Sequence, residues 1–446
     1  MYRVLMVIPV FPREKYTSLP IVDYGETVYL YDKKGNRYLD ASSGACVVSI
    51  GHGRIEVAEA LKEQAARAAF VIGVHFQNEA AVRLSQQAME LAPNEMNSIH
   101  FVSGGSEATD TAIKLALSYY LAKGLPRKTR FISRWASYHG ATIAATSMSG
   151  HTGRRRTYHR VLMDVTHIPP AYCYRCPHNK TPETCDVDCA RALETEIRRE
   201  GPENVAAFMA EPIVGSTLGA VVPVDDYWPL VREICDAHDV LLIADEVMTG
   251  FGRTGKNFGL DHWGVTPDLM TTGKGISSGY SPLGAVLVNK KIDQAFEDTG
   301  SDFPHIFTYG FNPLSAAAGS AVLDILVKER LIERSETMGR YLNKRLKELE
   351  DLPIIGDTRG KGLLHGVEFV KDKPSKAPFP REKQVSQRIF KGMASRGVLL
   401  YIGTGTVDGT LGDHFVLCPP FIITEEQIDE IIDSIDKTVR EVATQI

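Results

Sequence analysis

Residues 241–247 read Leu-Leu-Ile-Ala-Asp-Glu-Val, and residues 270–275 read Met-Thr-Thr-Gly-Lys-Gly. Each stretch passes abruptly from apolar or small residues into ionisable ones. In an open α/β sheet, ligands bind outside the carboxyl ends of the strands, where such residues are delivered. Asp245 closes one strand and Lys274 lies just past the next. A carboxylate and an amine can therefore meet there at one small molecule.

Outward from these two stretches, strands and helices alternate. Ile99-His100-Phe101-Val102 predicts a strand and residues 109–122 a helix. Further strands are expected at 130–132, 205–209, 240–244 and 285–288, with helices over 227–238 and 314–329. Alternation of this kind implies an α/β fold with a mostly parallel central sheet covered on both faces. Upstream, residues 28–39 read as a hairpin turning through Asp32-Lys33-Lys34-Gly35-Asn36, followed by helices over 54–69 and 78–91. In the last third, helices over 334–350 and 382–396 flank a strand at 363–369. Thr424, followed by Glu425 and Glu426, is placed to cap a final helix. Residues 56–325 are expected to form a large domain carrying a Cys-rich insertion at 169–190. Residues 326–446 form a smaller α+β domain, joined by the N-terminal segment 1–55. The Lys- and Pro-rich residues 371–381 read as a surface loop.

The 446 residues are 43% hydrophobic and 24% charged, with a net charge of −5. These are ordinary values for a globular protein, and no basic excess points to nucleic acid. No stretch reaches the ~18 uncharged apolar residues that a membrane span needs. The short apolar run at 4–10, interrupted by Pro9, reads as an ordered segment and not a signal peptide. A cytoplasmic protein with no membrane partner is the expectation. Seven cysteines in a chain of this length do not make a disulfide scaffold.

The chemistry follows from four motifs. A buried carboxylate beside a desolvated lysine suits a carbonyl cofactor: the amine forms a Schiff base and the acid faces a pyridinium nitrogen. That combination indicates pyridoxal 5'-phosphate. Ser103-Gly104-Gly105-Ser106-Glu107 precedes a helix, whose N-terminus can take an anion, with Gly105 and Ser106 the best donors. The plain alternative is a tight turn capped by Ser106. Tyr138 and His139, in Ser137-Tyr138-His139-Gly140, offer a ring to stack on a heterocycle; an ordinary core tyrosine with a solvated histidine is the alternative. Val247 would share a face with Asp245 and pack the other side of the ring.

These motifs, with Glu211-Pro212 and Gly250-Phe-Gly-Arg-Thr-Gly255, resemble the class III (omega-type) aminotransferases of the fold type I pyridoxal-phosphate superfamily, over nearly the whole chain. The resemblance implies a Schiff-base role for Lys274 and a ring-nitrogen role for Asp245. It places Tyr138 and Val247 against the ring, Gly105 and Ser106 on the phosphate, and Glu211 in support. Thr308 would reach the phosphate of a neighbouring subunit in a homodimer, or in a tetramer built from dimers. The implied reaction moves an amino group from an amine or omega-amino acid donor to a keto acid such as pyruvate. A different reaction on the same cofactor, elimination of phosphate from a phosphorylated amino alcohol, is the alternative. A cofactor-sensing binding protein without turnover is a more distant one.

Departures from the family bear on substrate. Ser216 stands where ornithine-type relatives carry a second glutamate. Val416 and Gly409 stand where an arginine often grips a carboxylate. The run Arg154-Arg155-Arg156, from which Arg156 is singled out, and Arg359 are the candidate substitutes, set against the reading of such a run as a solvated face. Cys46 occupies a place where amine-active relatives carry a large aromatic, which would widen that side of the pocket. Finally, Cys173, Cys176, Cys185 and Cys189 crowd four thiols into 17 residues. A structural zinc site is one reading of them; free or disulfide-linked thiols are the other.

Overall fold

Val205–Ala210, apolar throughout, and Gly284–Asn289, apolar up to its closing asparagine, are each buried at all six positions. Strands of this kind belong at the centre of a sheet covered on both faces. The computed structural model, which describes residues 19–446, puts both there. The apolar run at 4–10 lies outside the described residues.

In chain order the strands are β1 (Val22–Glu26), β2 (Tyr29–Asp32), β3 (Arg37–Asp40), β4 (Met96–Val102), β5 (Arg130–Arg134), β6 (Val165–Ile168), β7 (Val205–Ala210) and β8 (Leu241–Asp245). They continue with β9 (Leu269–Thr272), β10 (Gly284–Asn289), β11 (Ile355–Lys361), β12 (Leu364–Phe369), β13 (Val398–Leu399), β14 (Tyr401–Thr404) and β15 (Asp413–Leu417). The large sheet runs β4-β10-β9-β8-β7-β5-β6. All neighbouring pairs from β9 to β6 are parallel, and β10 alone runs the other way, antiparallel to both β4 and β9. The α/β fold with a mostly parallel sheet is therefore as expected.

Helices cover this sheet, including Gly105–Ala122, Tyr227–Ala237 and Pro313–Lys328. The first begins four residues earlier than the sequence suggested, because the Gly-Ser stretch enters the helix instead of forming a separate turn.

Two smaller sheets complete the molecule. In β1-β2-β3-β13, residues 398–399 pair in parallel with residues 39–40, so the two ends of the chain share one sheet. The turn after β2 is tied by Asp32, whose carboxylate accepts from Lys34 N, Asn36 N and Asn36 Nδ2. The order β11-β12-β15-β14 is antiparallel throughout. The last helix, Glu425–Gln445, begins with a reciprocal cap in which Thr424 and Gln427 each satisfy the other's backbone N–H. Among the described residues no helix is long and apolar enough to cross a membrane.

The cysteines depart from expectation in one place. Cys46 and Cys418 form a disulfide, with Cα atoms 5.4 Å apart across 372 residues of sequence. The remaining five are free thiols. Among the described residues no group of three or more metal-ligating side chains is arranged to hold an ion. The zinc reading of Cys173, Cys176, Cys185 and Cys189 is therefore set aside. Burial, reinforced by the neighbouring thiols, raises Cys173 and pushes Cys189 up to about 12. The nearby Asp188 is paired with Lys180 at 2.8 Å. The insertion instead packs as a prop: Arg175 donates to Glu368 at 2.7 Å and to the Lys376 carbonyl at 2.7 Å.

Candidate active site

The carboxyl ends of five strands of the large sheet converge on one cavity of about 410 Å³. The segment after β4 brings Gly105 and Ser106, that after β5 brings Tyr138 and His139, and that after β7 brings Glu211. Asp245 ends β8, Val247 follows it, and Lys274 follows β9. Eight positions singled out from sequence thus line one space. Thr308 does not; it is exposed in the turn beyond residue 307, away from this chain's cavity.

Asp245 is held at both oxygens. Oδ2 lies 2.6 Å from His139 Nδ1, and Oδ1 accepts from Val247 N at 3.1 Å. His139 Nε2 lies 3.2 Å from Ser133 Oγ, which can donate to it. That arrangement leaves the Nδ1 proton to point at the carboxylate. His139 is therefore a buried clamp and not a solvated side chain. Val247 does share the face of Asp245, although the backbone turns after β8 instead of continuing extended.

Glu246, next in sequence, faces away. It accepts from Gly259 N at 2.8 Å and Leu260 N at 2.9 Å, and its burial raises its pKa to about 7. Its task is to pin a loop, while that of Asp245 is to face the cavity.

Lys274 sits at φ +43°, a left-handed conformation costly for a residue with a Cβ. Its pKa is pushed down to about 8, chiefly by burial, against the opposing pull of Asp245 and Glu211. Desolvation wins over two nearby carboxylates, so a neutral amine is available near physiological pH. Glu211 is itself raised by burial. Its Oε1 accepts from Tyr138 N at 3.2 Å, and its Oε2 is buried without a hydrogen-bond partner.

The helix Gly105–Ala122 starts at the cavity with no side chain capping it. Its first-turn N–H groups and positive end face the space, and Ser106 Oγ accepts from Ala141 N at 3.0 Å. A Cβ at Gly105 would lie 2.9 Å from Val247 Cγ1, so only glycine lets this backbone approach so closely.

These observations fit pyridoxal phosphate: an amine of lowered basicity, a fixed carboxylate opposite it, an aromatic wall and an open helix N-terminus for a phosphate. The orphaned Glu211 Oε2 offers one further acceptor.

Three substrate expectations are corrected. Cys46 does not line the cavity; its sulfur is turned to Cys418 within an apolar cluster with Ile213 and Val416, and the neighbouring Val47 lines the space instead. Arg156 is exposed and lines no part of the cavity. Arg359 is buried and consumed by protein partners: the carbonyls of Leu218 and Gly219, Asp357 at 2.6 Å and Glu368 at 2.9 Å. Sequence reasoning also missed wall residues Met248, Ser277 and Leu283, which carry no chemical signal in a string. Ser216, noted only for lacking a carboxylate, does line the cavity.

Residues 10–439 match the family model described as aminotransferase class-III. An uncharacterized aminotransferase of Schizosaccharomyces pombe is 40% identical over 94% of this chain and 92% of its own. The putrescine–pyruvate aminotransferase of Pseudomonas aeruginosa is 37% identical over 96% of this chain and 91% of its own. Among solved structures, an (S)-enantioselective omega-transaminase from Thermomicrobium roseum superposes with a TM-score of 0.90 at 37% identity, covering 98% of this chain and 96% of that one.

Proposed function

From the premise that this chain belongs to the class-III aminotransferases, and is a pyridoxal-phosphate-dependent transaminase of fold type I, we propose that it moves an amino group from an amine or omega-amino donor to a keto acid such as pyruvate. The observation that carries the reading is the meeting of Lys274 and Asp245 at one cavity, with Lys274 brought down to about 8. The absence of an arginine at 409 and 416 and the name of the Pseudomonas relative both favour a donor without an α-carboxylate.

When bound, pyridoxal phosphate supplies an aldehyde that condenses with amines and a ring that takes up the electron pair left by a departing proton. The chain's residues do the rest. Lys274 Nζ would hold the group through its amine. With a donor amine in its place, Nζ would be positioned to take a proton from the donor carbon and to return one. Asp245 would face the ring nitrogen, kept in register by His139 and Val247 N. Tyr138 and Val247 would bracket the ring, and Gly105 and Ser106 would receive the phosphate at the helix N-terminus. Glu211 would orient the substrate side of the ring.

A homodimer belongs to the same proposal. Val74, Phe76 and Tyr309 are 69%, 67% and 64% exposed, and such large apolar side chains are more often covered by a partner. Thr308 sits beside Tyr309, where it could reach a second subunit's phosphate.

A half-reaction tests the chemistry. Holoenzyme given putrescine without acceptor should release one equivalent of product per site and stop, losing its aldehyde absorbance. Added pyruvate should restore the absorbance and yield alanine. Continuous product release without acceptor, or no response across a panel of amines, would refute the proposal.

A further inference from the structure

With a keto acid as acceptor, as proposed above, a carboxylate must enter this cavity, and a carboxylate leaving water needs a cation or several N–H donors. Most guanidinium groups around the cavity are turned toward protein partners and buried. Arg134 donates through Nη2 to the Glu211 carbonyl and lies 3.7 Å from the Glu211 carboxylate, with its Nε and Nη1 buried beneath the cavity wall. Arg253 donates to the carbonyls of Leu363 and Pro419. Arg155 donates to those of Thr146, Ser147 and Ser149. Arg359 is saturated beneath the neighbouring sheet.

Arg154 is different. Like Arg156 it is exposed and outside the cavity's own lining, but its guanidinium carbon lies 4.3 Å from the centre of the Tyr138 ring, which lines the cavity. Among the described residues its side chain has no carboxylate or carbonyl partner; only its backbone N–H is engaged, by His151 Nδ1 at 3.4 Å. Its charge is felt at Lys274, where it helps to disfavour the ammonium form. The segment that presents it is fixed, because Arg155, the next residue, is anchored on three carbonyls. The competing position is closed: a side chain at Gly409 would run into that of Thr152. No cation can enter from there without displacing the segment that carries Arg154.

We propose that Arg154 receives the carboxylate of the keto-acid acceptor at the rim of the cavity. The Tyr138 ring engages the guanidinium through a cation–π contact, and donors remain for a bidentate grip on the carboxylate. The acceptor would then be oriented with its ketone toward Lys274. The bland alternative is a solvated arginine resting on an aromatic ring.

The test compares holoenzymes of the wild type, Arg154→Gln and Arg154→Lys. KM is measured for pyruvate and for putrescine, which has no carboxylate, together with the affinity for pyridoxal phosphate. Arg154→Gln should raise the pyruvate KM roughly 10- to 100-fold, as expected for a lost charge-assisted contact. The putrescine KM should move far less, and Arg154→Lys should recover part of the loss. An equal rise in both KM values, or a loss of cofactor affinity that accounts for the change, would make Arg154 a support for Tyr138 and overturn the proposal. An unchanged pyruvate KM would overturn it too. Should wild-type turnover be absent with every donor, the transaminase reading fails. Calorimetric binding of pyruvate still decides the residue: equal affinity in wild type and Arg154→Gln overturns it, and selective loss in the variant upholds it.

Discussion

Asp245 and Glu246 are adjacent carboxylates with opposite environments, and that contrast shows how far residue-scale reading reaches. Asp245 was legible because an apolar strand ended on it. The burial of Glu246 against Gly259 N and Leu260 N was not, since those partners are thirteen and fourteen residues away. The same blindness explains Arg359 and Cys46. Sequence position alone places each in the pocket, and each is claimed by a partner distant in sequence, the carbonyls of Leu218 and Gly219 for Arg359 and Cys418 for Cys46. Lys274 yields the prediction at this scale. Its depressed pKa means that the neutral form is half populated near pH 8 instead of 10.5. In cofactor-free protein, acylation of Lys274 by an excess of amine reagent, followed by peptide mass spectrometry, should reach half its plateau rate near pH 8. Surface lysines in the same sample should still be accelerating at pH 10. Because the unfolded chain binds the extra proton between these two values, this group's contribution to stability rises with pH across that window. A Lys274 profile matching the surface lysines would contradict the desolvated site.

Among the elements, the helix Gly105–Ala122 opens directly onto the cavity, and its start shows a limit of local reading. Gly104-Gly105-Ser106 looks like a turn in sequence, but its glycines let the helix begin directly at the ligand space. Replacing glycine by alanine inside an ordinary helix stabilises it by about 1 kcal/mol. At Gly105 the added methyl would sit 2.9 Å from Val247 Cγ1, and overpacking of this kind costs about 1–3 kcal/mol. The clash wins, and it falls on the two residues assigned to ring and phosphate. Gly105→Ala should weaken pyridoxal-phosphate affinity about tenfold or more, measured by titrating the cofactor into apoprotein, while the circular dichroism spectrum stays that of the wild type. Unaltered affinity would remove Gly105 from the phosphate site. The direction of β10 was illegible for a different reason. Ala-Val-Leu-Val is buried on both faces whichever way it runs, so its pattern carries no sign of its sense.

Over the whole molecule, the alternation of apolar strands and amphipathic helices was enough to give the central sheet and the convergence of its strand ends on Asp245 and Lys274. Pairings between distant segments escaped it, such as residues 39–40 with 398–399, because no local period encodes a partner more than 350 residues away. The surface around Val74, Phe76 and Tyr309 belongs to this scale as well. Phe76→Glu combined with Val74→Glu puts two charges on the face proposed to be covered. The expected outcome is a shift from dimer to monomer in sedimentation, with loss of activity as Thr308 no longer meets a second cavity. A wild-type protein that sediments as a monomer would remove the dimer proposal outright.

The bridge between Cys46 and Cys418 makes the chain a covalent ring that leaves only the two tails outside it. A protease that nicks an exposed loop within that ring, such as residues 371–377, opens the ring without producing two pieces. Such a nicked protein should migrate as one band until a thiol is added, and only then part into fragments.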